Sequence, residues 1–194
     1  MRVILKAILF SFAGAVGFMS CNPEAKETVH QQQEASMDWK TQFNQTLPLL
    51  GHRNWIVVAD KAFPKQNAAG MQVINTNENL LPVLQYVLQQ VKASPHVKPV
   101  IFRDKELQFI TEDQAKGVKE FDKEAVKLFG GQEVQTIFHD SVFTKLDNAS
   151  KLFTIVVLKT NETIPYTSVF LQLDCAYWSA DKERQLRVIM KSNK

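Results

Sequence analysis

Residues 50–64 read LGHRNWIVVADKAFP and indicate the architecture more directly than any other stretch of the chain. Its centre, Trp55–Ala59, is an uninterrupted apolar run, which is typical of a strand buried on both faces of a sheet. Polar residues stand at both ends, with Gly51 and His52 before the run and Asp60 directly after it. Ligands of α/β sheets bind in loops at strand ends, so these residues are candidates for a site, although an Asp that only shapes a turn is about as common.

Segments on both sides of this stretch alternate between helical and strand patterns. Further strands are predicted at residues 71–74, 97–102, 107–110, 134–138, 153–158 and 169–176. Helices are predicted at residues 39–50, 80–91, 111–129 and 141–149. Strands separated by helices predict a single three-layer α/β domain, in which a mostly parallel central sheet carries helices on both faces.

Two local patterns carry predictions of their own. Thr111–Gln114 matches the capping-box pattern, so a helix is expected to begin there and to be weakened in its middle by Gly117. Residues 185–190 are predicted to fold back as one more strand. The wider tail, residues 179–194, is expected to form a solvated hairpin rather than a binding site.

The first residues have the composition of an export signal. Arg2 and Lys6 give a positive start, and the apolar stretch at residues 7–18 has a length that suits secretion but is short for a membrane span. The stretch FMSC then ends at Cys21 and resembles a bacterial lipobox, in which the cysteine is lipidated and becomes the new N-terminus. A plain signal peptide and an uncleaved anchor are the alternatives.

These boundaries predict a signal peptide at residues 1–20, a flexible polar tether at residues 21–37 and a folded domain at residues 38–194. We therefore expect an exported protein that is anchored to the bacterial cell envelope by lipid on Cys21, on the periplasmic or surface side. Cys175 is then left as a lone thiol on an apolar strand.

Composition and charge are those of an ordinary globular domain, with 45% hydrophobic and 22% charged residues. The net charge of +3 falls to +1 once Arg2 and Lys6 leave with the signal peptide. A balance so close to zero gives no electrostatic basis for binding nucleic acid.

A second polar motif, TNETIPYTS at residues 160–168, lies between the two last predicted strands. It follows the pair Gly51-His52 and the segment ADKAFP at residues 59–64. In this order, the motifs resemble the D-ribose pyranase and L-fucose mutarotase family, the RbsD/FucU-like proteins. The resemblance covers roughly residues 40–175 and implies the fold of that family.

Three positions depart from the family pattern. Arg53-Asn54 follow the histidine where the family often has Gly-Asp or a similar pair, and Asn161 replaces the middle Gly of Thr-Gly-Glu. Ser168 replaces a late Asn, and its hydroxyl donates and accepts hydrogen bonds but reaches less far. These changes bear on the choice of substrate and on activity.

The resemblance also implies a set of site residues. The implied catalytic residues are His52, His139, Asp60 and Tyr166, and the implied substrate-binding residues are Ser168, Glu162 and Lys145. The two histidines would carry protons, because the reference pKa of histidine is about 6.5. Asp60 would orient an imidazole or bind a sugar hydroxyl, and Tyr166 would bind the sugar or act as a further acid or base.

The implied chemistry is the opening and reclosing of a sugar ring. A base takes the proton of the anomeric hydroxyl while an acid protonates the ring oxygen, and the open aldehyde then recloses. This reaction requires no metal, nucleotide or redox cofactor. It requires proton carriers placed across the anomeric centre and hydrogen bonds that fix the sugar.

His52 and Asp60 flank a strand of about six residues, so a straight strand separates them by about 20 Å. Either the segment bends or a neighbouring subunit completes the site. The family resemblance implies ring-shaped homo-oligomers with sites at subunit contacts, which favours the second arrangement.

Three functions remain open at this stage. The first is a monosaccharide mutarotase or pyranase acting outside the cytoplasm. The second is a non-catalytic sugar-binding or scaffold lipoprotein that keeps the same fold, favoured by the export signal and by Asn161 and Ser168. The third is a surface interaction domain without a sugar site.

Overall fold

The computed structural model describes residues 37–192. The predicted signal peptide, Cys21 and most of the predicted tether lie outside the described residues. The strands are β1 (Trp55–Ala59), β2 (Met71–Asn75), β3 (Val97–Asp104), β4 (Val134–Ile137), β5 (Ile155–Lys159) and β6 (Val169–Cys175). The α-helices are α1 (Trp39–Thr46), α2 (Leu80–Ala93), α3 (Val118–Phe129), α4 (His139–Ser150) and α5 (Ala180–Ser192).

The six strands form one mixed sheet in the order β2-β5-β1-β6-β3-β4. β5 pairs in parallel with β1 and β2, and β3 pairs in parallel with β4. β6 lies between β1 and β3 and is antiparallel to both. Five strands therefore run in one direction, which confirms the predicted α/β fold with a mostly parallel sheet.

The central strand β1 contributes to two separate cores. Ile56 and Val58 pack on one face against α1, α2 and α3. Trp55, Val57 and Ala59 point to the other face, which α4 covers. Every residue of β1 is buried, because side chains alternate between two covered faces. The predicted three layers are thus confirmed.

The strand predicted at residues 107–110 is wrong. Residues Lys105–Phe109 form a short 3₁₀ helix that follows β3 directly, with the amide of Ile110 donating to the carbonyl of Leu107. Leu107 is buried while Phe109 is exposed, so only one of these side chains reaches the core. β3 ends where its neighbours end, because Asp104 pairs with Ile137, the last residue of β4, and Arg103 pairs with Val169, the first residue of β6.

The helix predicted to begin at Thr111 is also wrong at its start. The amide of Thr111 does donate to Gln114 Oε1, but this contact closes only a turn. α3 begins at Val118, after Gly117 with φ +88°, a left-handed conformation that favours glycine. The carboxylate of Glu112 accepts from the amides of Gly117 and Lys119, and these bonds lower the pKa of Glu112.

The tail is a helix, so the predicted strand at residues 185–190 and the predicted hairpin are wrong. α5 has no buried residue and is supported by pairs along its own surface, Arg184 with Asp181 and Arg187 with Glu183. Such pairs stabilise a helix without any sheet neighbour. Within residues 37–192, no helix is long and apolar enough to cross a membrane.

Candidate functional site

The candidate site lies at one edge of the sheet. The carboxyl ends of the parallel strands β1, β3, β4 and β5 meet there, together with the amino end of β6. Three segments surround a cavity of about 500 Å³, namely residues 60–64 after β1, residues 162–168 before β6, and the first turn of α4. This volume is in the usual range for small-molecule sites.

Asp60 is held in place by its neighbours across the sheet edge. Ser168 is almost fully buried, and its Oγ accepts from the amide of Asp60 and donates to Asp60 Oδ2, both at 3.0 Å. The other carboxylate oxygen accepts from the amide of Ala62 at 2.9 Å. The hydroxyl of Ser168 is therefore engaged with Asp60 rather than directed freely at the cavity.

The segment 160–168 is tied to the end of β1. Thr160 Oγ1 donates to the carbonyl of Ala59 at 2.8 Å, and the amide of Lys61 donates to the carbonyl of Glu162 at 2.7 Å. The carboxylate of Glu162 accepts from the amides of residues 163 and 164, both at 2.9 Å. These bonds fix the wall of the cavity, and they occupy one oxygen of Glu162.

Tyr166 has an unusual backbone conformation. Its φ is +60°, which is uncommon for a residue other than glycine and is disfavoured for a bulky side chain. In this conformation the phenol ring of Tyr166 meets the imidazole of His139 edge-on, with the ring centroids 5.2 Å apart. Strained residues of this kind cluster at functional sites.

His139 is the first residue of α4, and its position is fixed from several sides. Its amide donates to both carboxylate oxygens of Glu106 at 3.1 Å. Its ring packs against Phe143 with centroids 4.7 Å apart. Nδ1 of the ring lies 3.1 Å from Asp104 Oδ2. The imidazole thus enters the cavity with one nitrogen turned toward a carboxylate.

Asp104 is the residue that sequence reasoning missed. It ends β3, and its side chain is fully buried. Burial raises the pKa of Asp104 to about 6, with Glu106 and Asp60 acting in the same direction and His139 in the opposite one. The signal that marked Asp60, a carboxylate ending a buried strand, also applies to Asp104, but the predicted strand stopped at residue 102.

The structure brings most of the predicted site residues together. The cavity is lined by Asp60, His139, Glu162, Tyr166 and Ser168. Its apolar walls, which sequence reasoning did not assign to the site, come from Phe63, Pro64, Phe143, Ile164 and Pro165. The cavity is therefore lined by both polar and apolar side chains, a combination that suits a small ring with hydroxyl groups.

Two predicted site residues do not line this cavity. His52 lies at the opposite end of β1, exposed, with Nδ1 3.0 Å from Asp174 Oδ1. Lys145 lies on α4 with Nζ 5.7 Å from the ring centroid of Phe102. Among residues 37–192, no group of three or more His, Cys, Asp or Glu side chains is arranged to hold a metal ion.

A comparison with protein families finds a match to the model described as the RbsD / FucU transport protein family, over residues 40–175. The match thus covers well over half of the chain, including all six strands and the whole cavity. No curated protein matches the chain significantly.

Several solved structures are similar to this one at low sequence identity. RbsD of Bacillus subtilis complexed with D-ribose is 23% identical, with 69% of this chain and 92% of that chain covered and a TM-score of 0.48. FucU of Bifidobacterium longum is 18% identical, with 69% and 94% covered and a TM-score of 0.46. The fucose mutarotase of Streptococcus pneumoniae in complex with L-fucose is 17% identical, with 72% and 97% covered and a TM-score of 0.48.

Proposed function

This chain belongs to the RbsD/FucU family, and from that premise we propose that it is a monosaccharide mutarotase or pyranase acting outside the cytoplasm. The observation that supports this proposal best is the shared cavity, in which the imidazole of His139 and the phenol of Tyr166 lie 5.2 Å apart beside the carboxylate of Asp60. These are the kinds of proton carrier that ring opening requires.

The proposed reaction moves two protons and breaks one bond. His139 takes the proton of the anomeric hydroxyl, and the bond from C1 to the ring oxygen breaks as that oxygen receives a proton from Tyr166 or from a second histidine. The open aldehyde rotates about C1–C2 or presents another hydroxyl, and the same groups return the protons when the ring closes. Asp60, fixed by Ser168, holds a sugar hydroxyl.

His52 enters this proposal through a neighbouring subunit. Its side chain is 57% exposed at the end of β1 that lies away from the cavity, so it is available to a second copy of the chain. We expect a homo-oligomer in which His52 of one subunit reaches the cavity of the next. An active protein that elutes at the mass of a monomer in gel filtration would contradict this arrangement.

The experiment that tests the proposal is exchange NMR on a panel of monosaccharides. We expect exchange between the anomer signals of one sugar to be faster with the protein than in buffer alone. In the variant His139→Asn, the acceleration should fall by about 10²–10⁴-fold while the fold is retained. Asp140→Asn, an exposed change at the next position, is the matched control and should leave the rate unchanged. No acceleration with any sugar would overturn catalysis.

A non-catalytic sugar-binding or scaffold lipoprotein is the second candidate, and one contact favours it. The hydroxyl of Ser168, which replaces a longer family side chain, is engaged with Asp60. Saturation-transfer signals from a bound sugar, without accelerated exchange, would identify this function. The absence of both signals would leave the third candidate, a surface interaction domain without a sugar site.

The export and lipid anchor proposed from the sequence have their own test. We expect radiolabelled palmitate to be incorporated into the wild-type chain in a bacterial host and the protein to sediment with membranes. Cys21→Ser should abolish both. Label that persists in Cys21→Ser would contradict lipidation at this cysteine.

A further inference from the structure

His139 contacts Asp104, a residue that the family motifs do not assign to the site. Asp104 is 1% exposed, and the described side chains leave both of its oxygens without a hydrogen-bond donor of good geometry. A buried carboxylate in this position costs free energy unless a partner compensates it. The nearest available partner is Nδ1 of His139, at 3.1 Å from Oδ2.

The side chain of His139 lies partly in the protein interior and partly in contact with solvent. Nδ1 is buried, while 37% of the side chain as a whole is exposed. The exposed part is therefore the rest of the ring, on which Nε2 lies, and the ring lines the cavity. Nδ1 and Oδ2 are within hydrogen-bonding distance, although the angle between them is not ideal.

We propose that Asp104 is a positioning residue that holds the proton of neutral His139 on Nδ1, so that Nε2 faces the cavity as the base. A carboxylate accepts hydrogen bonds but does not donate them, so it selects the tautomer with hydrogen on Nδ1. When Nε2 takes the proton of the anomeric hydroxyl, the resulting imidazolium stays beside a negative charge. The same proton leaves Nε2 when the ring closes.

The charges around Asp104 agree with this role at neutral pH. Glu106 and Asp60 face it with like charge and His139 faces it with its ring, whereas Arg103 pairs with Asp122 at 2.7 Å. Because the pKa of Asp104 is raised only to about 6, the carboxylate is mostly ionised at pH 7.5 and accepts from Nδ1 there. Below pH 6 it takes up a proton and can donate as well as accept, so it no longer selects the tautomer with hydrogen on Nδ1.

The base role of Nε2 rests on the proposed sugar isomerisation, but the tautomer does not, and it is measured separately. In ¹⁵N-histidine-labelled protein at pH 8, the imidazole shifts of His139 should show hydrogen on Nδ1 and none on Nε2. The spectrum of His139→Asn assigns these signals. In Asp104→Asn, whose amide can donate to Nδ1, the tautomer should move toward hydrogen on Nε2, whereas Asp140→Asn should match the wild type.

The pH profile of anomer exchange gives a second readout. The wild-type rate should fall as the pH drops below about 6, where the carboxylate of Asp104 takes up a proton. Asp104→Asn should lose this step and keep only a low rate.

These readouts separate the two proposals. A wild-type His139 with its neutral-form proton on Nε2 would overturn the role of Asp104, whatever the activity. The predicted tautomer in a protein that accelerates no sugar would leave Asp104 as the partner of His139 and overturn the proposed function instead.

Discussion

Two imidazole–carboxylate pairs lie at opposite ends of the sheet, and their lengths are almost equal. At the cavity, His139 Nδ1 is 3.1 Å from Asp104 Oδ2. At the other end, His52 Nδ1 is 3.0 Å from Asp174 Oδ1. Their surroundings differ, because the side chain of Asp104 is fully buried while that of Asp174 is 37% exposed.

The pKa values of these two carboxylates are shifted in opposite directions. Burial dominates at Asp104 and raises its pKa to about 6. Burial also acts to raise the pKa of Asp174, but the amide of Cys175, the ammonium of Lys98 and the imidazole of His52 together lower it. A contact of about 3 Å therefore does not by itself indicate a functional pair. Solvent exposure determines whether the carboxylate of such a pair is an ordinary solvated ion or a buried group with a raised pKa.

The largest expected effect comes from removing His52 and His139 in two separate variants. We expect His52→Ala and His139→Asn each to lose about 10²–10⁴-fold in the rate of anomer exchange, because each removes one proton carrier. If the site is shared between subunits, unfolding the two variants together and refolding them restores activity. Random mixing gives about a quarter of the sites an intact histidine from each subunit.

The control for this experiment is each variant refolded alone, which should stay inactive. Circular dichroism should show that both variants keep the native fold. Full activity in a well-folded His52→Ala protein would remove His52 from the reaction and leave the pair at the cavity as the only functional one.

The next largest effect is on stability, through Asp104→Asn. The folded-state pKa of Asp104, about 6, lies above the usual 3.8, so between these values the folded chain holds a proton that the unfolded chain has lost. The free energy of unfolding therefore falls as the pH rises through this window. Removing the carboxylate should stabilise the protein at pH 7.5 by about 1–3 kcal/mol and leave only a low rate of anomer exchange.

Calorimetry measures this difference directly. The melting temperature of Asp104→Asn should exceed that of the wild type by several degrees at pH 7.5 and match it near pH 4. Asp140→Asn is again the control for the loss of one negative charge. A variant that melts lower than the wild type at pH 7.5 would show that His139 compensates the buried carboxylate more than fully.

The sequence predicted the sheet well, because buried strands carry local signals. The apolar run Trp55–Ala59 needs two covered faces wherever it lies, and the structure provides them. Residues 107–110 and 185–190 carry apolar residues too, but whether such segments pair depends on free sheet edges, which only the tertiary structure defines. The predicted end of β3 at residue 102 was too early for the same reason, since pairing with β4 extends this strand to Asp104.

The site was predicted only in part, because a local sequence signal marks some of its residues and not others. Asp60 follows a clear strand and could be identified from its position alone. His139 and Tyr166 became candidates only through the family resemblance, since a histidine or tyrosine in a loop carries no local signal of function. Asp104 was missed because its role depends on a partner 35 positions away in the chain. That proximity comes from β3 and β4 lying side by side.

The smallest expected effect is the change in stability on removing the carboxylate of Asp174, in the exposed pair. The pKa of Asp174 is lowered in the folded protein, so its charge stabilises the fold above the usual pKa, and this stabilisation is lost as the pH falls through the lowered value. Because the side chain is 37% exposed, Asp174→Asn should lower the free energy of unfolding at pH 7.5 by less than about 1 kcal/mol. The difference from the wild type should shrink as the pH falls below the usual value of 3.8, and Asp113→Asn, an exposed control, should show no difference at neutral or acidic pH. The two variants at opposite ends of the sheet are thus expected to change stability in opposite directions at neutral pH. If Asp174→Asn stabilised the protein as Asp104→Asn is expected to do, exposure would not be the property that separates the two pairs.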